Sequence, residues 1–121
     1  MVKKAGGKIA IVISSDWDQK IKVDAGLHLA KRIYEARQEN SVDALEVFLF
    51  AGGAKLLQSL PDEFVKIIEE LRQSNILMKV CTTEAKLWNL EENAKKYGIG
   101  FEFARDAFSR YARDGFTVFT F

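Results

Sequence analysis

The sequence predicts an α/β protein, a three-layer α/β/α sandwich built on a mostly parallel five-stranded sheet. Three observations predict it. Short apolar, β-branched runs alternate with amphipathic helical stripes along the chain. The runs are apolar at both alternating positions, as strands covered from both sides are. The links between runs and stripes are only a few residues long, which suits compact crossover units. The 121 residues fall below the roughly 150 that an ordinary domain takes, so a single domain over 1–121 is expected.

Residues 1–7 are polar and end in glycine, and are expected to fray. Residues 8–14 (KIAIVIS) form the first strand, broken by Ser14, Ser15 and Asp16. A helix follows over 18–38, its buried stripe running through Val23, Leu27, Ala30 and Tyr34. Residues 44–50 (ALEVFLF) form the second strand, and Ala51, Gly52, Gly53 and Ala54 lead into a short helical turn over 55–60. Pro61, Asp62 and Glu63 open the next helix, with proline and acids suited to a first turn. Its buried face is Phe64, Ile67, Ile68 and Leu71. Residues 76–81 (ILMKVC) form the third strand. Thr82, Thr83 and Glu84 begin a single further helix, closed by Gly98 as its C-terminal cap. A short strand over 101–103, a short helix over 104–112 and a last strand over 116–121 (FTVFTF) complete the chain. This alternation implies right-handed crossovers and a mainly parallel sheet. The last strand carries aromatic residues on both faces, and an uncovered face there would suit a subunit contact.

Composition narrows the function classes. Lys and Arg number 18 against 17 Asp and Glu, a net charge of +1 that argues against nucleic acid as the main partner. A single cysteine excludes an internal disulfide and a multi-cysteine zinc site, and fits a reducing compartment. No apolar run approaches the ~20 residues of a membrane span, and residues 9–13 are too short for a signal-peptide core. A soluble, cytoplasmic protein without a membrane partner is expected.

Ligands of open α/β sheets collect at the carboxyl ends of the strands. Three loops qualify, 14–18, 51–55 and 81–84, and they converge if their strands are neighbours. Cys81 is the sharpest feature. It ends a strand one residue before a helix, where the helix dipole and free N–H groups favour thiolate, although Glu84 opposes this. From position alone, a small buried hydrophobe is the more common state of a lone cysteine in a strand. Thr82 and Thr83 lie beside it as candidate binding residues. His28, the only histidine, sits in the middle of the first helix, so a Cys–His hydrolase dyad is disfavoured. Gly52 and Gly53 permit close backbone approach to an anion, with Lys55 adding charge, or simply make a tight turn. The spacing matches neither GxxxxGK[ST] nor GxGxxG. Ser14, Ser15 and Asp16 either meet a ligand or cap the helix. Asp16 and Asp18 lack companions for a ligand set, so neither metal nor cofactor is expected.

Three segments together resemble the DsrE/DsrF-like family, which includes the TusD-type sulfur-relay subunits. They are KIAIVISSDWDQKIKVDAGLHLAKRIYEA, VFLFAGGAKLL and MKVCTTEAKLWNL, in this order and spacing. The resemblance implies a three-layer fold and assembly into oligomers, trimers and hexamers among them. It also implies a persulfide carried on Cys81 and passed between a sulfur donor and an acceptor protein. In that comparison Ser14, Ser15, Gly52 and Gly53 only shape the surroundings of Cys81. The polar run after Cys81, with Glu84 in it, departs from the small apolar turn of relay subunits. Two further expectations stand beside sulfur relay. One is a non-catalytic, oligomeric small-ligand or assembly module with a structural cysteine. The other is a flavodoxin-like nucleotide binder, faintly supported by the glycine pair.

Overall fold

A computed structural model describes residues 6–121. Five parallel strands form one sheet in the order β4-β3-β2-β1-β5. They are β1 (Gly7–Ile13), β2 (Val42–Leu49), β3 (Leu77–Cys81), β4 (Gly100–Glu102) and β5 (Thr117–Thr120). The helices are α1 (Lys20–Glu35), α2 (Gly52–Lys55), α3 (Asp62–Gln73), α4 (Thr82–Leu87), α5 (Glu91–Lys96) and α6 (Ala104–Arg113). Of the segment expected to fray, residues 1–5 lie outside the described residues. Gly7 opens β1, and the Gly6 N–H donates to the Asp43 carboxylate at 2.9 Å.

The strand order explains the layers. From β1 to β4 the chain steps steadily in one direction, so right-handed crossovers put α1 to α5 on one face. It then returns across the whole sheet to β5, and the same handedness puts α6 on the other face. Two cores result. The larger joins Ile11, Ile13, Val47, Leu49, Met78 and Val80 to Leu27, Phe64, Ile67, Leu71, Ala85 and Leu90. The smaller joins Ala10, Val12, Phe48 and Cys81 to Ala107 and Tyr111 of α6. The apolar residues at both alternating positions of β1 are thus divided between the two cores.

The predicted helix after Cys81 is two helices. Asn89 takes a left-handed conformation (φ 54°) and the Leu90 N–H donates to the Ala85 carbonyl at 2.8 Å, closing α4. This break turns Leu90 into the core, which explains why Leu87, Trp88 and Leu90 follow helical spacing only loosely. The same closure, with an N–H bonded five residues back across a left-handed residue, ends α5 at Gly98 and α6 at Gly115. The expected cap at Gly98 is therefore observed.

A polar cluster fixes α6 to the sheet. Arg110 donates to both carboxylate oxygens of Glu46 on β2, at 2.8 and 2.7 Å. It also reaches Glu102 on β4, at 3.0 and 3.2 Å, and Lys79 of β3 pairs with Glu102 at 3.3 Å. Glu46 is 9% exposed. The paired Arg110 guanidinium, followed by Lys79, holds the Glu102 carboxyl below its ordinary pKa despite partial burial. Burial beside Glu46 pushes the Tyr111 phenol well above its usual value.

Two outcomes test this packing. A carboxylate whose folded pKa is lowered contributes stability that is complete above the ordinary carboxylate range and is lost as pH falls through the folded value. The melting temperature should therefore fall on acidification, and Glu102→Gln should flatten that dependence while lowering the neutral-pH value; pH-resolved thermal melts read both. At the β2–α2 turn, a Cβ on Gly53 would lie 1.7 Å from the Ile13 carbonyl oxygen. Gly53→Ala should destabilise the fold by about 3 kcal/mol, the upper end of ordinary overpacking, in chemical denaturation.

Candidate functional site

The carboxyl ends of β1, β2 and β3 are adjacent, so the three predicted loops do meet on one rim. The rim has a defined break. The connection after β3 enters α4 on one face of the sheet, whereas the connection after the neighbouring β4 enters α6 on the other. A crevice opens where adjacent connections leave in opposite directions, and such a switch point is where open α/β sheets bind ligands. Here it is a cleft of about 420 Å³ lined by Phe50, Cys81, Thr83, Glu84, Phe103, Ala104 and Arg105.

Cys81 is the last residue of β3 and immediately precedes α4. It is 4% exposed, packed in the smaller core yet forming part of the cleft wall. Its ladder partner is Glu102, the carboxylate held by Arg110 and Lys79. The helix that follows has only six residues, so the dipole inferred from sequence is that of a short helix. Phe50 of the β2 exit and Ala104 of α6 line the same cleft and pack against the same smaller core. Phe103 and Arg105 form the outer lip, with the Arg105 guanidinium 5.6 Å from the centre of the Phe103 ring.

Glu84 has a structural task that the sequence did not disclose. Its carboxylate accepts the Ala51 N–H at 2.8 Å, tying the start of α4 to the β2 exit. Ala51 lies at φ 55°, ψ −122°, a conformation that L-residues rarely adopt. This sharp turn sends the chain from β2 straight into α2. Gly53 can then press on the Ile13 carbonyl, and Gly52 on the backbone of Ser14 to Asp16, 2.7 Å from the Asp16 nitrogen to an added Cβ.

The other predicted residues are distributed along the rim. Ser14 donates from its hydroxyl to the Phe121 carbonyl at 3.3 Å, joining the ends of β1 and β5. Ser15 is half-buried against Gly52. The Asp16 side chain accepts the Trp17 N–H at 2.7 Å and caps a single 3-10 turn, Trp17–Gln19; α1 itself begins after Gln19 with no side-chain cap, so the expected capping of the first helix is not met. The space over Gly52 and Gly53 is filled by the β1 exit loop. Of the predicted set, Cys81 and Thr83 line the cleft; Thr82 faces a separate shallow hollow with Lys86, Glu91, Lys95 and Phe101. His28 is exposed on α1 beside Asp24, remote in the fold from Cys81. Among the described residues, no cluster of three or more His, Cys, Asp and Glu could hold a metal ion, and no helix is long and apolar enough to cross a membrane. Another hollow, of about 350 Å³, lies at the amino ends of β2 and β3 and includes Tyr34, Arg37 and Asn75. It is at the end of the sheet opposite the switch point.

The sequence reading missed Phe50, Phe103, Ala104 and Arg105. The β4 exit joins the site only because β4 neighbours β3, a fact of strand order. The charged and aromatic composition of 101–105 was the only local signal.

No family model matches the chain, and no curated protein does. Solved structures share the fold, two of them as follows. A conserved protein of unknown function from Bacteroides thetaiotaomicron is similar with a TM-score of 0.72 and 17% identity, over 93% of this chain and 94% of that one. A protein of unknown function from Methanobacterium thermoautotrophicum is similar with a TM-score of 0.67 and 16% identity, over 93% and 99%. Both likenesses concern architecture: the class is a parallel, three-layer α/β/α sandwich.

The Glu84–Ala51 bond gives a direct test of the rim. Glu84→Ala leaves a half-buried N–H without its partner and should cost about 1–3 kcal/mol, with Glu84→Gln costing less. Ala51→Gly relieves a backbone conformation worth about 1–3 kcal/mol in strain and should raise the melting temperature. Denaturation of the three variants checks the order.

Proposed function

We propose that the protein is a sulfur carrier that holds sulfane sulfur as a persulfide on Cys81. The observation that supports this most is the position of the chain's only cysteine, on the wall of the cleft at the switch point of the sheet. The resemblance of residues 78–90 to the segment in which relay subunits carry their cysteine adds to it. The step requires no metal or cofactor. The Cys81 thiolate attacks the outer sulfur of a donor persulfide, R–S–SH; the donor S–S bond breaks and R–S⁻ leaves, taking up a proton as the thiol. Cys81 becomes Cys–S–SH, and the transfer is redox-neutral overall. Phe50, Phe103 and Ala104 give the cleft apolar walls, which slow hydrolytic and oxidative loss of the bound sulfur. A cytoplasmic setting, self-association into a trimer or hexamer, and a protein donor or acceptor belong to the same reading.

A second reading is favoured by one observation. Cys81 is only 4% exposed and packs with Val12, Phe48 and Tyr111. In that case the protein is a non-catalytic, oligomeric module that binds a small ligand in the cleft, and the cysteine is structural.

Intact-mass measurement after incubation with a low-molecular-weight persulfide separates the two. The carrier reading expects the mass of one added sulfur atom on the wild type, reversed by a thiol reductant and missing in Cys81→Ser. An unchanged wild-type mass, or an equal gain on Cys81→Ser, contradicts it.

A further inference from the structure

We infer that α6 is a lid over Cys81, and that the Arg110 bridge to Glu46 and Glu102 is its latch. The inference rests on the carrier reading only in giving access to the thiol a purpose. The covering itself stands on the packing.

Three observations carry it. First, the thiol is covered from one side of the sheet only. Cys81 belongs to the smaller core, whose non-strand members among the described residues are Ala107 and Tyr111, with Phe50, Ala104, Phe108 and Phe116 packed around them. All but Phe50, at the exit of β2, lie in α6 or directly after it. Second, α6 has a small apolar footprint. It buries Ala107 and Tyr111, whereas α3 buries Phe64, Ile67, Ile68 and Leu71. Arg105, Asp106, Ser109, Ala112 and Arg113 of α6 are exposed. Third, beside the half-buried Phe108, whose ring meets Phe48 and Phe50, the polar part of its attachment is concentrated in Arg110. Arg110 spans β2 and β4 through two carboxylates, and the Tyr111 hydroxyl meets Glu46 at 3.4 Å.

An element with few buried apolar side chains opens at a lower free energy than the domain as a whole. Lifting α6 uncovers Cys81 from the sheet face and leaves the larger core intact, because no α6 residue belongs to that core. The first turn of α6 also forms the outer wall of the cleft through Ala104 and Arg105, so the same movement widens the mouth. A reactant too large for the resting cleft then reaches the sulfur, and reclosure shields it from water.

Native-state thiol labelling of Cys81 with a disulfide reagent, across sub-denaturing urea, tests this without any sulfur donor. Labelling through a lid opening has a urea dependence well below that of global unfolding but above zero. A dependence equal to that of global unfolding overturns the inference, and so does labelling independent of urea. Two paired variants sharpen the result. Ala112→Gly, on the exposed side of α6, should speed labelling about five-fold, the helix-propensity cost of glycine expressed as an equilibrium constant. Ala25→Gly, on the exposed side of α1, should change it less than two-fold although it lowers overall stability comparably. Equal effects contradict the lid. Arg110→Lys, which keeps one charge but loses the fork that holds both carboxylates, should speed labelling at least ten-fold; an unchanged rate contradicts the latch. Because labelling needs no persulfide, the lid can be upheld while the carrier reading fails, and the reverse.

Discussion

The reversal of chain direction between β4 and β5 is the constraint from which most of this molecule follows. Right-handed crossovers leave one choice of face for each direction of travel. Four strands laid down in one direction use up one face for α1 to α5. The return to the far edge of the sheet then forces α6 onto the other. That single helix shields a sheet face that would otherwise present Val12, Phe48 and Cys81 to water. The same reversal makes the exits of β3 and β4 diverge, and the divergence is the cleft.

The charges beneath α6 become intelligible in this light. A buried ion pair adds little net stability, because desolvation offsets most of the attraction. Breaking one is costly, because a charge is then left without a partner. Arg110, Glu46, Glu102 and Lys79 therefore do less to strengthen the fold than to define where α6 sits. They fix its register along the strands together with Ala107, Tyr111 and Phe108, whose ring packs edge-on to Phe48 and Phe50. Glu84 plays a comparable part at the rim, holding the strained Ala51 turn against the start of α4.

Much of the architecture was legible in the residues, because element type has local signals. The apolar runs at 8–14, 44–50 and 76–81 are short, rich in β-branched or aromatic residues and bounded by turns, and the stripe Phe64, Ile67, Ile68, Leu71 carries the helical period, so element type needed no tertiary information. Gly98 was legible as a cap because a left-handed residue has a local signature. The break at Asn89 was not, since Leu90 turns inward through a tertiary contact. Strand order was also not legible, and with it went the outer wall of the cleft, Phe103 to Arg105. Cys81 could be singled out by position, but whether it was sealed or reachable depended on a helix more than 20 residues further along the chain. The role of Glu84 was hidden for the same reason: its partner, Ala51, is 33 residues away.

The account rests on two faces of unequal strength, with the thiol beneath the lightly held one. Residue-resolved hydrogen exchange under native conditions tests that inequality most directly. The account predicts that the amides of α6 exchange through an opening of their own, at a free energy clearly below that of the β1, β2 and α3 amides. Protection of α6 equal to that of the central strands would contradict it.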